Sequence, residues 1–345
     1  MLFLLRNIRR KLLTRNKVIT YLLYAVGEIF LVVVGILIAV QIDNWNDNRK
    51  KNEQIRGILM QVSSELELDI ERIRSVNAFF LNKDSLISVY KNTDFDEIGS
   101  LSEEERWQLF NLIRTYEAFT PHDKGLQLLM SKVDEIENQH KNITEDLSFL
   151  YQDVIELINT HKVGLHDMLR QHRDYKLQSF SWYSDMYLHR KIGQEELDYY
   201  MFDPMYKNFM ALYRMHLINI VANGRIFEDV ASKIHRRIEI ERTGNYNNMK
   251  GLWKQAPESL LGYLEGQFVA ETDTIIFQTK DLQLTMLVDQ AAFKLKSDGN
   301  EIILRYKGDS TFYFDADRDL KIASDGSVSL ISFFDWPNIP LKRID

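Results

Sequence analysis

Apolar positions run almost unbroken from Tyr21 to Ile42, YLLYAVGEIFLVVVGILIAVQI, and fourteen of these 22 residues are Leu, Ile, Val or Phe. As a helix the stretch is about 33 Å long, against a hydrocarbon core of roughly 30 Å. The apolar gain outweighs the cost of the one acidic residue, Glu28. The pattern predicts a single transmembrane helix. It is too long for a signal-peptide core, and no small-x-small cleavage pattern follows before Asn44-Trp45-Asn46, so an uncleaved signal-anchor is expected. Tyr21, Tyr24 and Trp45 stand where interfacial aromatics belong.

Beyond the span the period becomes helical. Ile55, Leu59, Val62, Leu66, Ile70, Ile73, Val76 and Phe80 recur at spacings of three and four, which predicts an amphipathic helix over 52–81. Ser102 and Glu105 form a capping-box pattern that opens a second helix through Tyr116. A third is expected over 126–138, and a fourth carries Leu147, Leu150, Val154, Leu157, His161, Leu165, Met168 and His172. Asp203-Pro204 has the cap and first-turn proline of another start, leading a stripe from Phe209 to Ile238 that includes His216 and Asn223. An antiparallel helical bundle with coiled-coil character follows.

Near Gly251 the period shortens to two. Tyr263/Phe268, Ile275/Phe277, Leu282/Leu284/Met286/Val288, Ile302/Leu304/Tyr306, Phe312/Phe314, Leu320/Ile322 and Val328/Leu330 alternate between turn signals at 297–300, 307–309 and 324–326. Seven or eight short strands at this spacing predict a small antiparallel barrel or sandwich with its interior filled by side chains. The fold class is therefore α+β, mainly α. Four segments are expected: 1–20 basic and interfacial, 21–42 spanning, 43–250 helical and 251–345 β, the last able to fold alone.

Charge adds orientation. Residues 1–20 hold six Lys or Arg and no acid, so with a total of −7 the rest of the chain carries −13. Basic residues ahead of the span outnumber the four in 43–62, which places the N-terminus in the cytoplasm and the body outside it. An acidic body argues against nucleic-acid binding. The absence of cysteine excludes disulfides and thiolate chemistry.

Candidate chemistry is sparse. No P-loop, nucleophile elbow, dinucleotide fingerprint or zinc signature occurs. No catalytic, cofactor-binding or metal residue is therefore assigned and no small-molecule ligand is identified, with a ligand-binding or enzymatic periplasmic protein as a further alternative. His161, His172, His216 and Asn223 read as polar residues that fix register between helices. Within the span, Glu28, Val32, Gly35 and Ala39 share one helical face, and Gly35-x-x-x-Ala39 permits close helix approach. These four are the candidates for lateral association, with self or with another membrane protein. The alternative for Glu28 is proton movement, as in a stator-like energy-coupling subunit.

Lys11-Leu12-Leu13, Asn16-Lys17 and the stretch Tyr21–Asn46 resemble the N-terminal signature of a family of uncharacterised single-pass proteins from Gram-negative bacteria. The likeness continues through Arg56-Gly57-Ile58-Leu59 and the loop Phe119-Thr120-Pro121-His122-Asp123-Lys124-Gly125, over roughly the first 240 residues. It implies anchoring in a bacterial inner membrane and carries no activity. Leu261–Phe268 is similar to the opening of small β-domains appended to bacterial peptidase-like and β-lactamase-like enzymes. The expected function is that of a membrane-tethered scaffold or interaction protein, with a periplasmic body.

Overall fold

A computed structural model describes residues 17–93, 102, 104, 108, 111–136, 138–189, 193–244, 252, 254–270, 273–280, 283–287, 301–334, 336 and 337–344. Two compact units arise, Met1–Gly57 and Ile58–Asp345. The chain is mainly helical with a C-terminal antiparallel sheet, the α+β class that the two periodicities predict.

Helix α1 (Lys17–Asn92) contains the apolar span. From Tyr21 to Ile42 every described side chain except Val34 is exposed. This is one helix long and apolar enough to cross a membrane. Trp45 is 67% exposed, and the Arg49 guanidinium lies 5.8 Å from its ring centroid, an amphipathic pair of the kind found at a bilayer surface.

In the second unit, α1 turns the expected stripe inward: Leu66, Ile70, Ile73, Val76 and Phe80 have no exposed surface. Two helices expected from the sequence come out differently. The helix expected to run through Tyr116 has ended by Asn111, and 115–123 is irregular; of the capping-box pair Ser102 and Glu105, Glu105 lies outside the described residues. Thr120 precedes Pro121, which disfavours helical backbone, and side chains satisfy the loop carbonyls instead. Tyr213 Oη donates to Thr115 O at 2.8 Å and Arg72 Nη2 to Ala118 O at 3.1 Å. The helix expected over 126–138 is split into α2 (Lys124–Met130) and a 3-10 turn (Val133–Glu135), after which the extended backbone of Ile136, ψ 123°, turns the chain.

Next come α3 (Asn138–Ser148), a π-helical segment (Phe149–Val154) and α4 (Ile155–Ser179). Two short helices that the periodicity did not signal follow, α5 (Trp182–His189) and α6 (Gln194–Phe202). Helix α7 (Pro204–Thr243) starts as expected: Pro204 opens it and Asp203 Oδ1 accepts from Met205 N at 2.6 Å. It stops at Gly244, whose φ of 76° only glycine adopts without penalty. Helices α4 and α7 pack closely, with His216 against Gly164, where a Cβ would collide with the imidazole.

Helix α8 (Glu258–Leu264) takes up Tyr263, so the first expected strand begins only at Gly266. The strands are β1 (Gly266–Ala270), β2 (Asp273–Lys280), β3 (Gln283–Leu287), β4 (Glu301–Leu304), β5 (Tyr306–Gly308), β6 (Thr311–Tyr313), β7 (Arg318–Ile322), β8 (Val328–Ser332) and β9 (Ile339–Arg343). The order β4-β3-β2-β1-β9-β8-β7-β6-β5 is an antiparallel meander in which β1 pairs with β9. Its outermost strands, β4 and β5, are joined through Arg305 alone, which makes the sheet a nearly closed barrel. Phe268, Phe277, Leu284, Leu304, Phe312 and Leu320 fill it, joined by Leu261 and Leu264 of α8. The β9 strand escaped the period-2 pattern because Pro340 and Lys342 flank its one buried residue, Leu341.

The turns behave as their residues require. Asp325 Oδ1 accepts from Ser327 N at 2.9 Å beside Gly326, φ 85°, and Gly308 has φ 106°. The turn signal at 297–300 lies outside the described residues.

Candidate functional site

The loop that interrupts the helices, 115–123, is held by acids of α1. Asp69 occupies a core position between Leu66 and Ile73 and is fully buried. Its carboxylate accepts from His122 N at 3.1 and 3.0 Å, contacts His122 Nδ1 at 2.6 Å and accepts from Tyr151 Oη at 3.0 Å. One turn earlier, Glu65 Oε2 accepts from Gly125 N at 2.8 Å. A Cβ on Gly125 would sit 2.8 Å from Val62 Cγ2, so the loop approaches the helix as closely as glycine allows.

Burial pushes the Asp69 carboxyl above the ordinary range, and the hydrogen bonds from His122 and Tyr151 pull it back. Burial also drives the Tyr151 phenol far up, and the neighbouring Asp69 charge adds to this, so it stays a donor. Tyr151 lies in the π-helical segment, whose wider turn is a common companion of special side-chain placement.

A buried carboxylate that orients an imidazole through Nδ1 leaves Nε2 to face outward, and the His122 side chain is 54% exposed. That is half of a general-base arrangement. Its other half is a nucleophile or a substrate, and among the described residues His122 hydrogen-bonds only Asp69. The chemistry the site shows is therefore loop positioning. Asp69→Asn keeps the shape but sets an amide donor against the His122 donors. It is expected to cost roughly 1–3 kcal/mol and to open the loop, read as faster tryptic cleavage after Lys124 at unchanged protease concentration.

The polar residues picked from the helical stripes divide. His161 Nδ1 and His216 Nδ1 meet at 3.3 Å across α4 and α7, and His172 Nε2 bonds Tyr199 Oη at 2.9 Å, both between helices as expected. Asn223 differs: its Nδ2 donates to Asn219 O of its own helix at 2.8 Å, so it does not tie helices together through that bond. Among the described residues no three His, Asp or Glu converge as a metal site.

Glu28, Val32, Gly35 and Ala39 are all exposed on the apolar part of α1. No described residue comes within 4 Å of a Cβ built on Gly35, which leaves that face open to another helix. Sequence reasoning missed Asp69 and Glu65. The signal was available: Asp69 stands three residues after Leu66 and four before Ile73, in the stripe itself, where an unpartnered acid would be too costly to keep.

A chain with one apolar helix fit to cross a membrane and a mainly α, partly β body is the class this structure defines. Residues 28–131 match a family described as "Family of unknown function (DUF6090)", a match over under a third of the chain that includes residues 28–42 of the span and the Asp69–His122 loop. No curated protein and no solved structure matches.

Proposed function

We propose that the chain is a membrane-tethered scaffold or interaction protein, anchored in a bacterial inner membrane by residues 21–42 with its body in the periplasm. The observation that carries this reading is the exposure of every described apolar side chain from Tyr21 to Ile42 except Val34. Twelve exposed Leu, Ile, Val and Phe side chains left in water would oppose folding by tens of kcal/mol at roughly 1.5–3 kcal/mol each; a bilayer removes that cost. The basic residues ahead of the span support the orientation. The face of Glu28, Val32, Gly35 and Ala39 supports lateral association, since Gly35 and Ala39 allow close approach and the Glu28 carboxyl can hydrogen-bond across an interface in lipid.

The test joins location to association. The chain stays in the membrane pellet after alkaline carbonate washing, and a C-terminal alkaline phosphatase fusion is active. Gly35→Leu abolishes crosslinking through the span without releasing the protein from the membrane. Release of the intact chain by carbonate overturns the anchor. An inactive phosphatase fusion overturns the orientation, and unchanged crosslinking in Gly35→Leu overturns the association face. Proton coupling by Glu28 is a second outcome of the same series: Glu28→Gln then keeps the crosslinks and loses function, because an amide does not titrate.

A further inference from the structure

A cavity of about 370 Å³ opens where α4, α5, α6 and the segment 111–116 meet. In an acidic chain its wall is cationic. Arg114, Arg170, Arg173 and Lys176 line it, opposed by the single carboxyl of Glu196. Arg170 and Arg173 are each held by a neighbouring aspartate, at 3.2 Å to Asp167 and 3.1 Å to Asp174. Among the described residues the other two cations have no such partner.

Lys176 is only 9% exposed. Its ammonium donates to Tyr200 Oη at 3.4 Å and lies 5.7 Å from the Tyr183 and Tyr200 ring centroids, with no carboxylate within 4 Å among the described residues. Arg114 donates to Asn111 Oδ1 at 3.0 Å and stands over the Tyr187 ring at 5.6 Å. Neutral oxygens and ring faces are weak compensation for buried or half-enclosed cations. Burial, reinforced by the charge of Arg114, lowers the Lys176 ammonium to about 8. Glu196 is 2% exposed, its Oε2 has no hydrogen-bond partner, and burial raises its carboxyl to about 7, though Lys176 pulls it the other way. In its protonated form that carboxyl donates a hydrogen bond, so the Lys176 ammonium and Glu196 can both serve an acceptor.

We propose that this cavity is a binding site for a small organic anion, with a carboxylate or phosphate head between Lys176, Arg114 and Glu196 and a planar body against the tyrosine rings. Guanidinium groups match the geometry of both heads, the tyrosines offer faces for stacking, and the volume suits a ligand of this size. A cationic ligand is disfavoured by Lys176 and Arg114, which among the described residues lack an aspartate of the kind that holds Arg170 and Arg173 and face the one carboxyl of Glu196. The site goes beyond an anchoring or scaffolding role, because it gives the body something to sense or carry.

The test is isothermal titration of the full chain in detergent micelles with phenyl phosphate, benzoate, inorganic phosphate and benzyltrimethylammonium. One of the two aromatic anions binds at one site per chain, at least about tenfold more tightly than inorganic phosphate, and which of them binds better identifies the head. Benzyltrimethylammonium does not bind. Arg114→Gln, at an exposed position that leaves the core intact, weakens the aromatic anion about tenfold or more, as expected for a lost charged hydrogen bond; Lys176→Met does the same. Absence of binding by both aromatic anions overturns the proposal. So does equal affinity for inorganic phosphate, binding of the ammonium probe, or undiminished binding in Arg114→Gln.

Discussion

Arg225→Ala is expected to destabilise the body by about 3–5 kcal/mol, the usual consequence of removing one partner from a buried ionic group. Arg225 belongs to α7 and is 5% exposed. Its guanidinium reaches into the β7 end of the sheet, donating to Ala316 O at 2.8 Å, Asp315 O at 3.0 Å, Arg318 O at 3.0 Å and Asp319 Oδ1 at 2.9 Å. The ring of Phe333 covers it at 3.4 Å. Alanine leaves three carbonyls without this donor and Asp319 with Lys307 alone, at 2.6 Å. Arg225→Lys is expected to recover only part of the loss, because one ammonium cannot serve four acceptors spread over a fork. The denaturation midpoint of the full chain in micelles reads the loss. Hydrogen exchange localises it, with amides of α7 and of 305–319 losing protection together. Protection lost in the sheet alone would show that the clamp is not shared.

The same junction holds a second buried arginine. Arg305, between β4 and β5, meets Asp229 Oδ1 at 3.3 Å and Glu228 Oε1 at 3.1 Å, while Arg74 of α1 contacts Glu228 Oε1 at 2.9 Å. Arg305 and the pull of Arg74 hold the Glu228 carboxyl below the ordinary range in spite of its burial. The sheet's own buried charges, Arg305 and Asp319, are thus paired from α7, whose Glu228 also holds Arg74 of α1, and Ile58–Asp345 forms one compact unit. The change of period near Gly251 marks a change of secondary structure, and the fragment 251–345 that the pattern suggested could fold alone lacks the partners of Arg305 and one of the two partners of Asp319, keeping only Lys307.

What was legible followed from repetition. The span, the α1 stripe, the Asp203-Pro204 start of α7 and most strands each depend on several residues repeating one period, and a local rule reads them. What was not legible depends on residues far apart in the chain. Asp69 pairs with His122 over 53 positions and Arg225 with Asp319 over 94, and no local period encodes either. Helices α5 and α6 were obscured for another reason. Their aromatic residues, Trp182, Tyr183, Tyr187, Tyr199 and Tyr200, point to several neighbours rather than to one stripe, and the cluster they build is what shapes the cation-lined cavity. The cations of that cavity sit on helix faces where Arg and Lys are ordinarily solvated, so only the third dimension separates Lys176 from a surface lysine.

That aromatic cluster also sets an acid limit on the fold, through His172. The imidazole is 5% exposed, bonds Tyr199 Oη at 2.9 Å and lies 4.9 Å from the Phe209 ring and 5.8 Å from that of Tyr206. Burial foremost, and then the charge of Lys176, lower it from 6.5 to about 3. The folded chain therefore binds fewer protons here than the unfolded chain between pH 3 and 6.5. The stability held by the neutral ring is complete above pH 6.5 and is lost as the pH falls through that window. At about 1.4 kcal/mol per pH unit, the loss reaches roughly 3 kcal/mol by pH 4.5. Glu196 works in the opposite sense, since its raised carboxyl gains protons on folding between 4.5 and about 7 and so stabilises the fold as the pH falls through that range. A single acid titration of the wild-type chain mixes the two. His172→Gln separates them: the amide keeps a hydrogen-bonding group for Tyr199 and has no proton to take up. The difference in unfolding free energy between wild type and His172→Gln is expected to shrink by about 3 kcal/mol from pH 7 to pH 4.5. A difference that stays constant over that range would mean that the ring is protonated in the folded chain, with the charge accommodated inside the tyrosine cluster.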